Sequence, residues 1–110
     1  MKLSNRDKAV IPRNKLVKYI LSETHPVGNA KARFFRKLGF SETNVDELEK
    51  ALLRIVRAND VKEVRKFEYG VNYAIDGTIE TPSGKRVAIT SVWFVKTARS
   101  RPRFVTAYPV

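Results

Sequence analysis

Cysteine and histidine, which build many protein sites, are nearly missing from this 110-residue chain. It contains no cysteine and a single histidine, His25. Disulfides and cysteine- or histidine-rich metal sites are therefore excluded, and we expect neither a metal nor a cofactor. The lack of cysteine fits a reducing cytoplasm, which is the localisation we predict.

Long apolar runs and the short motifs of several enzyme classes are also lacking. No stretch approaches the length that crosses a membrane, and the first ten residues carry no apolar core or cleavage pattern. A glycine-rich phosphate loop, a dinucleotide fingerprint and a nucleophile elbow are absent. We therefore expect no membrane partner and none of the reactions that these motifs serve.

Acidic residues are half as numerous as basic ones. Lys and Arg number 22 against 11 Asp and Glu, which gives a formal net charge of +11. A charge of this size favours a polyanionic partner: nucleic acid before an anionic membrane surface or an acidic protein. The hydrophobic share of 43% indicates that this charge is displayed on a packed scaffold and not on a disordered tail.

Apolar periodicity predicts a first and a last helix, with a third helix between them. After a loose basic arm at residues 1–11, Pro12 opens the first helix, whose apolar stripe is Leu16, Val17, Ile20 and Leu21. The last helix begins at a capping box of Asn44 with Glu47 and continues to about Ala58.

The middle helix follows the only histidine and is strongly basic. It runs from about Gly28 to Leu38, and Gly39 with Phe40 predicts a left-handed end in which the phenylalanine folds back on the last turn. Lys31 lies near its start, where the helix dipole disfavours a cation and free N–H groups favour an anion. Such a lysine either marks a functional site or extends into solvent.

The second half of the chain has the two-residue period of strands. Val61–Glu68 is predicted as an edge strand, and a half-buried strand follows with Gly77 at a bulge or a close approach. The turn Thr81–Lys85 leads into the nearly apolar run Arg86–Lys96, which should pair back as a hairpin. In the last strand we expect Phe104, Thr106 and Tyr108 to share one face.

These elements predict a single α+β domain over residues 12–110. Three N-terminal helices would pack on one face of a four-stranded antiparallel meander sheet. The other face would then meet a ligand through Arg99, Arg101 and Arg103. The predicted core contains Leu16, Ile20, Phe34, Leu38, Leu48, Leu52, Ile55, Tyr73, Ile75, Ile89 and Trp93.

The remaining reactive groups suit cleavage of RNA without a metal. That reaction needs a base for the 2′-hydroxyl proton, an acid for the leaving 5′-oxygen and cations for the phosphate charge. His25 titrates near neutral pH, and Lys31 with arginines would hold the phosphate. The alternative for His25 is a loop histidine that caps backbone groups. Thr106 and Tyr108 are equally suited to being ordinary sheet residues.

Motifs along most of the chain resemble a small, uncharacterised bacterial domain family. They are His25-Pro26-x-Gly28-x-x-Lys31-Ala32-x-Phe34-Phe35-x-x-Leu38-Gly39-Phe40, Thr90-Ser91-Val92-Trp93 and Arg103-Phe104-Val105-Thr106-Ala107-Tyr108-Pro109. The order of elements is also loosely similar to the barnase, endoribonuclease-U, colicin-nuclease and RelE-type toxin superfamily of metal-independent ribonucleases. This resemblance implies His25 as general acid or base, Lys31 as the phosphate-binding cation, and Thr106 and Tyr108 as phosphate or proton-transfer groups.

Three functions therefore stay open at this point: a toxin-type endoribonuclease, a non-catalytic RNA- or DNA-binding module, and a protein-interaction module. RNA is favoured over DNA as the nucleic acid, and an acidic inhibitor or immunity protein is a candidate partner. Several relatives in the superfamily use two histidines, or a histidine and a glutamate, whereas this chain offers one histidine and no obvious second group. The predicted nucleic-acid-binding residues are Arg33, Arg36, Lys37, Arg99, Arg101 and Arg103.

Overall fold

Helical segments precede the strands along the chain. The computed structural model describes residues 1–21 and 29–110, apart from the side chains of Tyr19 and Asn29. The helices are α1 (Arg13–Lys15), which continues as a π-helical segment (Leu16–Ile20), α2 (Asn29–Lys37) and α3 (Val45–Ala58). Short 3₁₀ turns lie at Arg6–Lys8 and Glu42–Asn44. The strands are β1 (Glu63–Phe67), β2 (Gly70–Glu80), β3 (Arg86–Val95) and β4 (Arg103–Pro109).

The four strands form one antiparallel sheet in the order β1-β2-β3-β4. The turn between β2 and β3 closes as predicted, because the Thr81 N–H donates to the Lys85 carbonyl at 2.8 Å and Gly84 takes a φ of 87°. Helices and an antiparallel sheet therefore make this an α+β fold.

The long helix α3 is the element that covers the sheet. It packs on β2 and β3, and Gly77 in β2 permits this approach: a Cβ there would lie 2.7 Å from Ile55 Cγ1 and 2.6 Å from Asn59 Nδ2. Gly77 thus marks a close approach, and β2 pairs with β3 through it in unbroken register. The π-helical segment contacts α2 and α3. The helices therefore differ in position, and the predicted arrangement of three helices laid side by side on one sheet face is too simple.

The end of α2 is fixed by its own backbone. Gly39 adopts a left-handed φ of 100°, the Gly39 N–H donates to the Arg36 carbonyl, and the Phe40 N–H donates to the Phe35 carbonyl. This is the predicted glycine-terminated helix end, and the Phe40 side chain returns to the core with 1% of its surface exposed.

The start of α3 differs from the prediction. The capping box is formed by Ser41 and Asn44 instead of Asn44 and Glu47: Ser41 Oγ accepts from the Thr43 N–H, and Asn44 Oδ1 accepts from the Ser41 N–H at 2.8 Å. The reason is the 3₁₀ turn that precedes the α-helix. It moves the first unpaired N–H groups one turn towards the N-terminus, where Ser41 satisfies them.

Most predicted core residues are buried, but α2 is rotated relative to its predicted phase. Phe35 is fully buried, whereas Phe34 is half-buried and packs edge-to-face on it with ring centroids 5.0 Å apart. Leu38 and Tyr73 also pack against the core only partly buried. The predicted residues buried to 3% exposure or less are Leu16, Ile20, Leu48, Leu52, Ile55, Ile75, Ile89 and Trp93.

Residues 1–11 are docked on the domain, although a loose arm was expected. Leu3 and Ala9 are 3% and 7% exposed and belong to the core. Val10 forms a parallel bridge with Arg103, and Lys2 forms an antiparallel bridge with Asp60. These two apolar side chains anchor the segment by being buried. Charged residues dominate its composition, and for that reason a loose arm was expected.

Candidate nucleic-acid interface

The sheet face opposite α3, here called the open face, carries the candidate site. Alternate residues of the strands point to it, and the strand register aligns Glu63, Ala74, Val92 and Thr106 in one row across β1 to β4. Among the residues that the structure describes, only strand residues surround Ala74 and Val92 in the centre of this row, and the face is concave there.

A bulge in β4 determines which side chains reach the open face. Trp93 pairs with Phe104, but Val92 pairs with Thr106, so Val105 is an extra residue in β4. The bulge sends Phe104 into the core, where it packs edge-to-face on Trp93 at 5.4 Å. Thr106 and Tyr108 share the open face as predicted, whereas Phe104 does not, because simple alternation fails at the bulge.

A concavity of about 280 Å³ lies on this face, with β1 at one side and β4 at the other. Its apolar floor is formed by Ala74 and Val92. Polar side chains surround this floor, and in full the lining residues are Glu63, Arg65, Asn72, Ala74, Val92, Val105, Thr106 and Tyr108. A pocket with an apolar floor and convergent polar rims suits a planar, charged ligand.

Lys31 reaches the rim of the concavity from α2. Its ammonium group donates to Thr106 Oγ1 at 3.1 Å, and the residue is half-buried. The contact is possible because α2 lies against β4, which is one of the two edge strands. Three of the four residues predicted as a catalytic set, Lys31, Thr106 and Tyr108, therefore meet at one place. The fourth, His25, lies outside the described residues.

A second polar row lies beside the first. Thr90 pairs with both Asp76 and Tyr108 in the register, and its hydroxyl donates to Asp76 Oδ1 at 2.6 Å. Lys62 Nζ lies 3.0 Å from Asp76 Oδ2. The Thr90 hydrogen bond, and after it Lys62, lowers the pKa of Asp76, while the same carboxylate raises the pKa of Lys62. Asp76 is thus held ionised in the same row as Tyr108, with Thr90 between them.

Arg36 has a structural environment, although it was predicted to bind nucleic acid. Its Nε donates to the Leu21 carbonyl at 2.8 Å, which satisfies the end of the π-helical segment, and its guanidinium pairs with Glu42. This hydrogen bond lowers the pKa of Glu42. Arg36 therefore ties three consecutive parts of the helical layer together.

The other predicted basic residues are exposed but dispersed. Arg33 and Lys37 lie on α2, and Arg99 and Arg101 lie in the connection that leads to β4. Arg103 is the first residue of β4 and lies on the open face, where it pairs in register with Phe94.

Glu63, Arg65 and Asn72 are lining residues that the sequence prediction missed. Glu63 and Arg65 are two residues apart in β1, and Arg65 pairs with Asn72. The signal was present in the alternation of the edge strand, since residues two apart share a face. What the sequence did not show was that this face of β1 lines the same concavity as Thr106 and Tyr108 of β4, the opposite edge strand.

Comparisons with known proteins agree with the fold and give it a family. The family model described as a domain of unknown function (DUF6883) matches residues 2–110. A solved chain titled "Contact-dependent growth inhibition toxin - immunity protein complex from Klebsiella pneumoniae 342" is similar in structure. The TM-score is 0.73 at 19% identity, with 96% of each chain covered. At this identity the likeness concerns the fold alone. No curated protein sequence matches the chain.

A helix that crosses a membrane must be both long and apolar. None of the helices within residues 1–21 and 29–110 is long and apolar enough to cross a bilayer.

Proposed function

The chain belongs to the DUF6883 family, and we propose that it is a nucleic-acid-directed domain that cleaves RNA without a metal ion, as toxin nucleases do. The observation that supports this best is the hydrogen bond from Lys31 to Thr106 at the rim of the concavity that Tyr108 also lines. A cation and two hydroxyls converging on an open pocket are suited to a phosphate group.

The proposed reaction is attack of the ribose 2′-oxygen on the adjacent phosphorus, with departure of the 5′-oxygen. A base takes the 2′-hydroxyl proton and an acid protonates the leaving oxygen. We assign one of these roles to His25. We assign the other role to Glu63, which lines the concavity. A carboxylate as base and an imidazolium as acid would complete the pair.

The charge on the phosphate would be balanced by the cations on both sides of the concavity. Lys31 approaches from the β4 side and Arg65 from the β1 side. The hydroxyls of Thr106 and Tyr108 can donate hydrogen bonds to phosphate oxygens. Such preorganised donors stabilise the charge that develops in the transition state more than they stabilise the substrate.

The likeness in fold to a chain of a contact-dependent growth inhibition toxin–immunity protein complex supports a toxin-like role. We extend this to a partner for the present chain: an acidic inhibitor protein that covers the open face. With a net charge of +11, the domain would attract such a partner and RNA by the same electrostatics. The cytoplasm, where RNA is abundant, remains the proposed location.

A non-catalytic RNA- or DNA-binding module is the second candidate. Lys31, Arg65 and Arg103 present positive charge along one sheet face, which by itself is sufficient for phosphate binding. This module would use the same surface but would need neither His25 nor Glu63.

Cleavage of an RNA pool in the presence of a metal chelator tests the proposal. We expect the wild type to cleave, and His25→Ala and Glu63→Gln each to lower the rate by about 10²- to 10⁴-fold. The test also includes Lys31→Ala, which removes the proposed phosphate-binding cation. Lys50→Ala is its charge-matched control, because Lys50 is exposed on α3, which covers the opposite sheet face.

The outcomes separate the candidates. Activity that requires added Mg²⁺, or that survives His25→Ala, would contradict the proposed mechanism. A wild type that binds RNA tightly and never cleaves it would favour the binding module. A wild type that binds no nucleic acid at low salt would leave the protein-interaction module as the remaining candidate function.

A further inference from the structure

Three aromatic side chains form an exposed cluster at one end of the open face. Phe67 and Tyr69 are stacked, with ring centroids 5.3 Å apart and planes inclined by 11°. Tyr69 also contacts Phe94 at 5.9 Å and 39°. Tyr69 is 67% exposed and Phe67 is 37% exposed. We call Phe67, Tyr69 and Phe94 the aromatic platform.

The backbone is adapted to this platform. Gly70 follows Tyr69 and pairs with Phe67, and a Cβ at Gly70 would lie 2.3 Å from Phe94 Cζ. The glycine therefore leaves the space in which the Phe94 ring lies across β2. Any larger residue would push that ring away from Tyr69. The cluster is thus built into the hairpin and is more than a chance exposure of large residues.

The platform is continuous with the concavity. Phe67 and Arg65 are two residues apart in β1, so they share the open face about 7 Å apart along the strand. Phe94 pairs with Arg103 on one side and Asn72 on the other. Two guanidinium groups therefore flank the rings on the way to Lys31 and Thr106. Glu68, in the turn, is the acidic neighbour of the platform along the chain.

On these observations we propose that the aromatic platform stacks a base of a single-stranded RNA whose backbone crosses the concavity. This inference rests on the proposed function and names its substrate as single-stranded. Every base has a flat π-face, and stacking on an aromatic ring needs no particular sequence. The adjacent arginines would hold the phosphates on either side of the stacked base. A base inside a duplex is not accessible to such a surface.

The test measures binding without cleavage. The probes are a fluorescein-labelled 2′-O-methyl oligouridine, whose blocked 2′-oxygen cannot attack, and an abasic oligomer of the same length and charge. Tyr69→Ala should weaken oligouridine binding by about 5- to 100-fold and leave abasic binding unchanged. Tyr69→Phe should retain the wild-type affinity, because the ring is kept.

Val64→Ala is the matched control, since Val64 is 44% exposed on the same strand but lies on the other sheet face. It should leave both affinities unchanged, and thermal melts should show that all variants fold. Unchanged oligouridine binding in Tyr69→Ala, or an equal loss for both probes, would overturn the platform while leaving the proposed function in place. Failure of the wild type to bind either probe would overturn both.

Discussion

Lys31 of α2 and Thr106 of β4 are 75 residues apart in the chain, yet the lysine ammonium donates to the threonine hydroxyl at 3.1 Å. The contact links a basic helix to the edge strand at the rim of an open pocket. It explains why a cation is present near the start of α2: Thr106 provides it with an acceptor on the open face. The contact also gives the site a pair whose coupling can be measured.

Removing the two partners should affect RNA binding differently. Lys31→Ala should reduce the slope of log affinity against log salt by about 0.7, the value for one phosphate contact with a single strand. Thr106→Val should weaken binding but keep the slope, because the cation remains. In the double variant we expect less than the sum of the two losses. Titrations with 2′-O-methyl oligouridine measure this; a wild-type slope in Lys31→Ala would contradict it, and Lys50→Ala serves as control.

Thr90→Val should make the domain less stable at neutral pH, and this difference from the wild type should shrink at acidic pH. The Thr90 hydroxyl contributes most to lowering the pKa of Asp76 below its ordinary value of 3.8. A carboxyl with a lowered pKa stabilises the folded state above that ordinary value, and this contribution is lost as the pH falls through the folded-state pKa. Without the hydroxyl the pKa of Asp76 rises towards its ordinary value, so its contribution at neutral pH is smaller and less of it is lost on acidification.

The carboxyl titration of Asp76 by NMR, and denaturant unfolding followed by circular dichroism at neutral and at acidic pH, check this prediction. Thr90→Ser keeps the hydroxyl and should behave as the wild type. If Thr90→Val and Thr90→Ser gave the same Asp76 pKa, the assigned cause would be wrong.

Gly77→Ala should destabilise the domain although it adds a single methyl group. The new Cβ would meet Ile55 and Asn59 of the α3 end at 2.7 and 2.6 Å, so the helix must shift from the sheet. Overpacking of this kind costs about 1–3 kcal/mol in the free energy of unfolding. Denaturant unfolding measures it. The exposed neighbour Thr78 provides the control, and a Gly77→Ala variant no less stable than Thr78→Ala would contradict the close approach.

Truncating neighbouring phenylalanines in α2 should have unequal effects. Phe35→Ala removes a fully buried ring and should cost about 3–5 kcal/mol. Phe34→Ala removes a half-buried ring and should cost clearly less, since part of its surface is already in water. Unfolding midpoints of the two variants compare them directly. Equal losses would mean that the face of α2 turned to the core is broader than the structure has it.

Local chemistry in the sequence was sufficient for the elements that depend on neighbours along the chain. The end of α2 at Gly39, the turn at Thr81–Lys85 and the order of helices before strands were all predictable, because backbone conformation there depends on a few adjacent residues. The large positive charge was equally plain, since it is a sum over the composition. Single-residue details already failed at this level: Ser41 caps the helix one turn before Asn44, and Phe35 replaces Phe34 in the core.

Only the tertiary structure decided which side chains meet. The bulge at Val105 reverses the alternation of β4, which separates Phe104 from Thr106 and Tyr108. The position of α2 against β4 brings Lys31 to Thr106, and Glu63 of β1 lines the same pocket as Thr106. None of these relations has a local signal, because each depends on packing between segments distant in sequence. The chain by itself determined its elements and its charge, whereas packing of α2 and α3 on the sheet determined which charged side chains lie beside the concavity.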